Sequence, residues 1–282
     1  MAEIISPAHS SGFGATTRKD TWWLGPLATA IGLLSFVIYS TWAAMQGTNF
    51  EWGPYLSPFY SPLIFGPADS AHAWVHLATG AMSPSWWPAA LPFSPALLVL
   101  WAPGGFRLTC YYYRKAYYRS IWMDPVACAV GEPRKTYLGE NSLPLILQNV
   151  HRYFAYLAVI FIFLLIHDAI EAYFFPFDGM GVPYADGRHF GMGLGSLVLT
   201  LNPIFLGCYT FGCHSLRHLV GGKKDCFSCS STGKVRFRMW SAVSLFNRNH
   251  QLWAWVSLFG VGFTDIYVRC VAAGVWHDIR FF

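Results

Sequence analysis

The sequence predicts an all-α integral membrane protein, a bundle of five transmembrane helices with the N-terminus in the cytoplasm and the C-terminus outside. Only 12% of the 282 residues are charged and 54% are hydrophobic, whereas about a quarter of a typical soluble domain is charged. The apolar residues lie in stretches of roughly 20, the length at which a helix spans a bilayer. An aromatic content of 18%, with 13 tryptophans, suits a protein anchored in two water–lipid interfaces.

Five segments are long and apolar enough to cross the membrane. They lie near residues 22–45, 86–109, 148–170, 190–220 and 245–268. The third is the clearest, because its core YFAYLAVIFIFLLI carries no charge. The second contains Pro88, Pro92, Pro95 and Pro103, which predict a kink or a late start. The fourth contains Pro203 and several glycines, which let neighbouring helices pack closely.

The positive charges predict the orientation. Lysine and arginine are concentrated in the N-terminal tail and after the second and fourth spans, and they are scarce after the first and third. Since cytoplasmic loops are enriched in these residues, we interpret residues 1–20 as a cytoplasmic tail, 21–275 as one membrane domain and 276–282 as an external tail. The protein then crosses the inner membrane several times, and its net charge of +5 indicates topology rather than a nucleic-acid partner.

One segment on the cytoplasmic side combines histidines and cysteines at metal-ligand spacing. His214 and His218 are four residues apart, so both rings lie on one face of a helix. Cys226 and Cys229 follow, with two residues between them, a spacing that lets two thiolates share one metal ion. Three interpretations are open: a structural zinc site, a Rieske-type [2Fe–2S] cluster, or no metal. A disulfide is disfavoured because the cytoplasm keeps thiols reduced.

The remaining histidines and cysteines leave alternatives to this ligand set. Cys213 or His151 could replace one of the four ligands, whereas the isolated Cys110, Cys128 and Cys270 are interpreted as structural. A b-type haem is the alternative cofactor, because histidines on neighbouring helices can supply two axial ligands. The cytoplasmic level would offer His151, His250, His214 and His218, and the outer level His167 and His189.

The chain resembles the membrane anchor subunit, of the cytochrome b or C type, of bacterial succinate dehydrogenases and fumarate reductases, in particular the actinobacterial ones. The resemblance covers about residues 20–275 and depends on NVHRYF (149–154) opening an apolar helix, five spans in one chain, and histidines at both helix ends. It implies that a flavoprotein subunit holds the succinate site and that an iron–sulfur subunit docks on the cytoplasmic loops 107–150 and 217–249. Five-helix members usually carry two haems. The Cys/His segment departs from that pattern and favours a [2Fe–2S] centre in place of the inner haem.

The resemblance also implies a quinone site at the cytoplasmic edge. A quinone needs hydrogen-bond donors in an apolar slot and a proton source near by. The candidate residues are Tyr118, Arg119, Trp122, His151 and Arg152, although aromatic and basic residues of this kind are also typical of an ordinary interfacial belt.

The predicted function is therefore that of a membrane anchor of a succinate:quinone oxidoreductase, which passes electrons from the iron–sulfur subunit to quinone through a Rieske-type centre. The alternatives are the same role with haem b, or a small transporter with a zinc site, for which His167, Asp168, Glu171 and Asp265 would line the path. A higher oligomer is compatible with the sequence.

Overall fold

The computed structural model describes residues 12–79, 81, 83–88, 90, 93–134, 142–143, 145–178, 181–222 and 226–282. Residues 1–11 of the predicted tail, Pro92 of the second predicted span and residues 223–225 of the Cys/His segment lie outside these described residues.

Helices dominate the described part of the chain. They are α1 (Leu24–Gln46), α2 (Pro95–Val99), α3 (Trp101–Leu108), α4 (Tyr111–Tyr117), α5 (His151–Glu171), α6 (Leu194–Phe211), α7 (His214–Gly221), α8 (Gly233–Arg248) and α9 (His250–Ala272). A π-helical turn covers Tyr118–Trp122, and a 3₁₀ turn, Leu145–Val150, leads into α5. The strands are two residues each: β1 (Glu51–Trp52) pairs with β2 (Tyr55–Leu56) and β5 (Phe174–Phe175) with β6 (His189–Phe190), both antiparallel, and β3 (Phe65–Gly66) pairs in parallel with β4 (Val75–His76).

Four helices among the described residues are long and apolar enough to cross a membrane. They are α1, α5 with its leading 3₁₀ turn, α6 and α9. This confirms the prediction of an all-α membrane protein. The five-helix count and the placement of the two termini stay predictions.

The second predicted span is shorter than the sequence suggests. Where they are described, residues 86–94 are not helical, and α2 begins only at Pro95, whose missing N–H and fixed φ suit a first helical position. Pro103 lies in the first turn of α3, where it breaks no helical hydrogen bond. Residues 95–108 rise by roughly 20 Å at 1.5 Å per residue, less than the ~30 Å hydrocarbon core.

The fourth and fifth predicted spans have different bounds in the structure. The fourth, expected to continue to residue 220, ends as α6 at Phe211, because Gly212 and Cys213 leave the helical conformation before α7 begins at His214. The fifth, expected from residue 245, begins as α9 at His250 and continues to Ala272. The fourth span was expected to continue past Gly212 even though the residues that follow the break, such as His214 and Arg217, are polar.

The bundle is built around α6 and α9. In their most apolar stretches 50% of α6 and 61% of α9 are buried, compared with 17% of α1. α6 packs against both α5 and α9. The apolar side chains of α1, such as Ile31 and Ile38, are exposed, as expected for a helix in contact with lipid.

A buried ion pair ties α9 to α1 and to the loop that follows it. The Arg269 guanidinium donates to Asp265 Oδ2 at 2.7 Å, and neither side chain is more than 8% exposed. Arg269 also donates to the Ala43 carbonyl at 2.7 Å and the Thr48 carbonyl at 2.9 Å, while the Tyr39 hydroxyl donates to Asp265 at 2.5 Å. Every charged atom of the pair is thus hydrogen-bonded, which is the condition for keeping charges in an apolar interior.

Replacement of Asp265 by alanine should destabilise the protein by about 3–5 kcal/mol, because it leaves the Arg269 guanidinium buried without a counter-charge. The midpoint of thermal unfolding in detergent measures the effect. Asp186→Ala is the matched control, since that carboxylate is exposed. Equal midpoints for the two variants would contradict a stabilising role of the buried pair.

Candidate functional site

The predicted ligand set His214, His218, Cys226 and Cys229 is not assembled as one metal site. Cys226 and Cys229 are bonded to each other in a disulfide, with their Cα atoms 5.5 Å apart. The expectation that these thiols stay reduced was wrong for this structure, because a two-residue spacing brings the Cα atoms within disulfide range. Metal ligation requires thiolates. His214 and His218 do meet as predicted, with ring centroids 4.9 Å apart.

Two other Cys–His pairs lie in the core of the bundle. Cys213 Sγ is 3.1 Å from His151 Nε2, and Cys110 Sγ is 3.8 Å from His250 Nε2. Cys110, Cys213 and His250 are at most 2% exposed, and His151 is 8% exposed. Cys110, which the sequence left without a neighbouring partner and which was interpreted as structural, thus contacts a histidine 140 residues away.

The two pairs belong to one cluster. The His151 ring stacks on Phe106 at a centroid distance of 4.8 Å, and the His250 ring stacks on Tyr209 at 4.9 Å. Phe106 and Tyr209 contact each other edge to face at 5.3 Å. The pairs thus lie on two sides of a shared aromatic contact. In the described residues, however, no three His, Cys, Asp or Glu side chains converge closely enough to hold one metal ion.

All four residues lie where a helix begins. His151 and His250 are the first residues of α5 and α9, and Cys110 and Cys213 directly precede α4 and α7 in extended backbone conformation. Gly212 permits the close approach of the end of α6 to α9, because a Cβ at this position would lie 3.0 Å from His250 Nδ1. The chain breaks therefore gather side chains from four helices at one level.

Hydrogen bonds orient the His151 ring. The Thr109 hydroxyl donates to the Gly105 carbonyl at 2.7 Å, and His151 Nδ1 lies 2.9 Å from the Thr109 hydroxyl oxygen. Since the hydroxyl has one proton to give, this network assigns the proton of the ring to Nδ1 and leaves the Nε2 lone pair directed at Cys213. His250 Nδ1 and the Tyr209 hydroxyl are buried without a hydrogen-bond partner in the described part of the chain.

The predicted quinone-binding residues are divided between two cavities. His151 and Arg152 line a cavity of about 600 Å³ together with His214 and His218. Tyr118 and Arg119 line another cavity of about 600 Å³, beside Asp124. Trp122 lines neither cavity, and its ring lies 4.9 Å below the Arg134 guanidinium. The structure thus joins His151 to Arg152 and Tyr118 to Arg119, but not all five.

The first of these cavities is lined by basic and neutral polar side chains. Besides the four residues just named, its lining consists of Gln148, Asn149, Ser215, Leu219, Gly222 and Arg236. Burial lowers the pKa of His214 from its ordinary value, and the neighbouring His218 and Arg217 lower it further. His214 is therefore neutral at pH 7 and can accept or donate a hydrogen bond.

The predicted outer histidine pair is not formed by any contact among the described residues. His167 is 72% exposed beside Asp168, with 3.6 Å between His167 Nδ1 and the carboxylate. His189 instead contacts Asp186 at 2.7 Å, and this hydrogen bond lowers the pKa of Asp186. Asp265, which was expected near the same membrane face as His167, forms an ion pair with Arg269.

Four helices that are long and apolar enough to cross a membrane, with buried Cys–His pairs between them, define a multi-pass membrane protein. Residues 24–274 match the sequence model of a family described as actinobacterial succinate dehydrogenase subunit SdhC, and the chain belongs to this family. It is similar to a chain of the Mycobacterium smegmatis Sdh1 complex in the apo form, with 41% identity, a TM-score of 0.80 and 100% of both chains covered. No curated protein matches the sequence.

Family membership confirms several predictions at once. The chain is a membrane subunit of a succinate dehydrogenase complex, it associates with the other subunits of that complex, and it crosses the inner membrane several times. The cofactor of this subunit, its quinone site and its orientation are not fixed by the family.

The cysteines should differ sharply in reactivity toward a maleimide. In the folded protein Cys128 is exposed and should be labelled, whereas the buried Cys110 and Cys213 should react only after denaturation. Cys226 and Cys229 should become reactive only after reduction of their disulfide. Mass spectrometry of tryptic peptides measures each site, and rapid labelling of Cys213 in the native state would contradict its burial.

Proposed function

We propose that this chain carries electrons from a docked iron–sulfur subunit to a membrane quinone with a Rieske-type [2Fe–2S] centre, held by Cys110, Cys213, His151 and His250. The observation that carries the proposal is the pair of buried Cys–His contacts at one end of the bundle. The ligand set differs from His214, His218, Cys226 and Cys229, but the ligand chemistry, two thiolates and two imidazoles, is the one predicted from the sequence.

The donor set fits a two-iron cluster better than a single ion. A Rieske centre takes two cysteines on one iron and two histidines on the other. The two Cys–His pairs together supply the two thiols and two imidazoles that such a centre would use. Such a centre, when bound, would supply one-electron transfer.

The residues around the ligands prepare them for this role. Cys110 and Cys213 each directly precede a helix in extended backbone conformation, which places both sulfur atoms in the core of the bundle. The backbone amides of Ser215 and Leu216 interact with the Cys213 side chain. Thr109 fixes the tautomer of His151 that leaves Nε2 free to bind a metal.

The inner haem fits the same residues less well. A bis-histidine haem needs two imidazoles that face each other across the macrocycle. His151 and His250 instead each face a cysteine, and their ring faces stack on Phe106 and Tyr209. Haem therefore remains the second candidate, favoured only by the presence of the two histidines at one level.

We place the quinone in the cavity lined by His151 and Arg152. This cavity of about 600 Å³ reaches the proposed centre through His151, so a bound quinone would lie next to a ligand of the electron donor. Arg152, His214 and His218 offer donors to the quinone oxygens. Tyr118 and Arg119, in the second cavity, are assigned to the surface facing the iron–sulfur subunit, within the loop 107–150.

The topology proposal keeps five membrane helices, with α2 and α3 together as the short second one. Lysine and arginine enrichment after this helix and after α6 supports a cytoplasmic N-terminus and cytoplasmic loops 107–150 and 217–249. The proposed centre, the quinone cavity and the partner surface then share one side of the membrane.

Cys110→Ala and Cys213→Ala should each abolish a low-average-g EPR signal in the dithionite-reduced complex and lower its iron and acid-labile sulfide by about one cluster. The double variant Cys226→Ser/Cys229→Ser is the matched control and should keep both, because its disulfide lies outside the proposed ligand set. Sharp optical α-bands without the EPR signal in the unaltered complex would indicate that the site holds haem and not a cluster. Loss of the signal in the double variant alone would restore the ligand set predicted from the sequence.

Arg152→Met should raise the KM for quinone about tenfold, with a smaller effect on kcat, since a charge-assisted hydrogen bond contributes roughly 1.5–3 kcal/mol. Arg119→Met is the matched control, because Arg119 lines the other cavity. Steady-state quinone reduction by the purified complex measures both variants. A larger KM increase for Arg119→Met would move the quinone to the second cavity.

A further inference from the structure

Arg107 is a cation inside the bundle without a carboxylate partner. Among the described residues its guanidinium forms no ion pair, and its hydrogen bonds go to neutral oxygens: the Tyr113 hydroxyl, the Ala254 carbonyl at 3.2 Å and the Ser257 hydroxyl at 3.0 Å. Arg269, a buried arginine of α9, is instead paired with Asp265. A cation without a counter-charge in an apolar interior is costly and is often retained for function.

The position of Arg107 points its charge at the proposed ligands. It lies three residues before Cys110, at the end of α3. Its guanidinium carbon is 4.9 Å from the centroid of the Tyr209 ring, and the His250 imidazole stacks on the same ring at 4.9 Å. The Arg107 charge also acts electrostatically on His250.

The apolar surroundings keep this charge from being screened. Arg107 lines a cavity of about 160 Å³ whose lining includes no acidic residue and is mostly apolar, with Phe36, Phe106 and Leu206 among its members. Charges in such an environment interact more strongly than charges in water. A negative charge that appears near Cys110 and His250 would therefore be stabilised by Arg107 more than by any surface cation.

We infer that Arg107 is the fixed counter-charge of the redox centre and raises its reduction potential. The inference rests on the proposed function. A cluster with two thiolates and two neutral imidazoles is neutral when oxidised, since two ferric ions balance two sulfides and two thiolates. One added electron would make such a cluster an anion, and the positive charge of Arg107 would favour that reduced form.

Hydrogen bonding alone would give Arg107 a different role, that of a structural tie between α3 and α9 through Ala254 and Ser257. Two variants of Arg107 separate these roles, because one removes the positive charge and the other keeps it. Arg107→Gln removes the charge and keeps a donor for the Ala254 carbonyl. Arg107→Lys keeps the positive charge but replaces the planar guanidinium, with its several N–H donors, by a single ammonium group.

The test is an EPR-monitored redox titration of the purified complex, following the low-average-g signal. Arg107→Gln should lower the equilibrium constant for reduction about tenfold, a potential shift of about 59 mV for one electron. Arg107→Lys should retain most of the original potential. Arg238→Met, which removes an exposed arginine of α8, should leave the potential unchanged.

Three outcomes would overturn the inference. The potential of Arg107→Gln could equal that of the unaltered complex, or Arg107→Gln and Arg107→Lys could lower it equally, which would indicate a structural tie. Failure of both variants to assemble the complex would likewise show that geometry rather than charge is required. Absence of the signal in the unaltered complex would instead refute the proposed function itself, so the two failures are distinguishable.

Discussion

The arrangement of this protein depends on where its helices are interrupted. Inside a bilayer, backbone N–H and C=O groups must be hydrogen-bonded within the protein, so breaks are tolerated only where other helices cover them. The interruption at Gly212 and Cys213 is covered by α5 and α9, and the one at Cys110 lies in the same core. Each break presents a cysteine to a histidine that opens another helix. Without these two interruptions the cysteines would not face the histidines that open α5 and α9.

The sequence predicted the membrane class, the third span and the subunit family, because hydropathy and the NVHRYF segment are local signals. Its prolines predicted a kink or a late start in the second span, but the break after Phe211 in the fourth span was not predicted, since Gly212 and Cys213 can also continue a helix. The ligand pairs were missed for a related reason. Cys110 and His250 are 140 residues apart and Cys213 and His151 are 62 apart, whereas spacing arguments detect only neighbours.

The local Cys/His motif of residues 214–229 does not coincide with the buried Cys–His pairs of the core. His214 and His218 meet on α7 as their spacing implies, but the cysteines that follow them bond to each other. The expected depth of each residue in the membrane could have identified the core pairs. His151 and His250 were both expected at the cytoplasmic level, and Cys110 and Cys213 end the spans that reach the same level. Grouping residues by depth in the membrane, rather than by distance along the chain, would have found all four.

The four buried residues come from widely separated parts of the chain, and the last of them, His250, opens the final long helix. During synthesis the first three can be in the membrane while the fourth is still inside the ribosome. The ligand set is therefore complete only after nearly the whole chain has been made and its last helix inserted. Occupation of the proposed site would then report that α9 is in place.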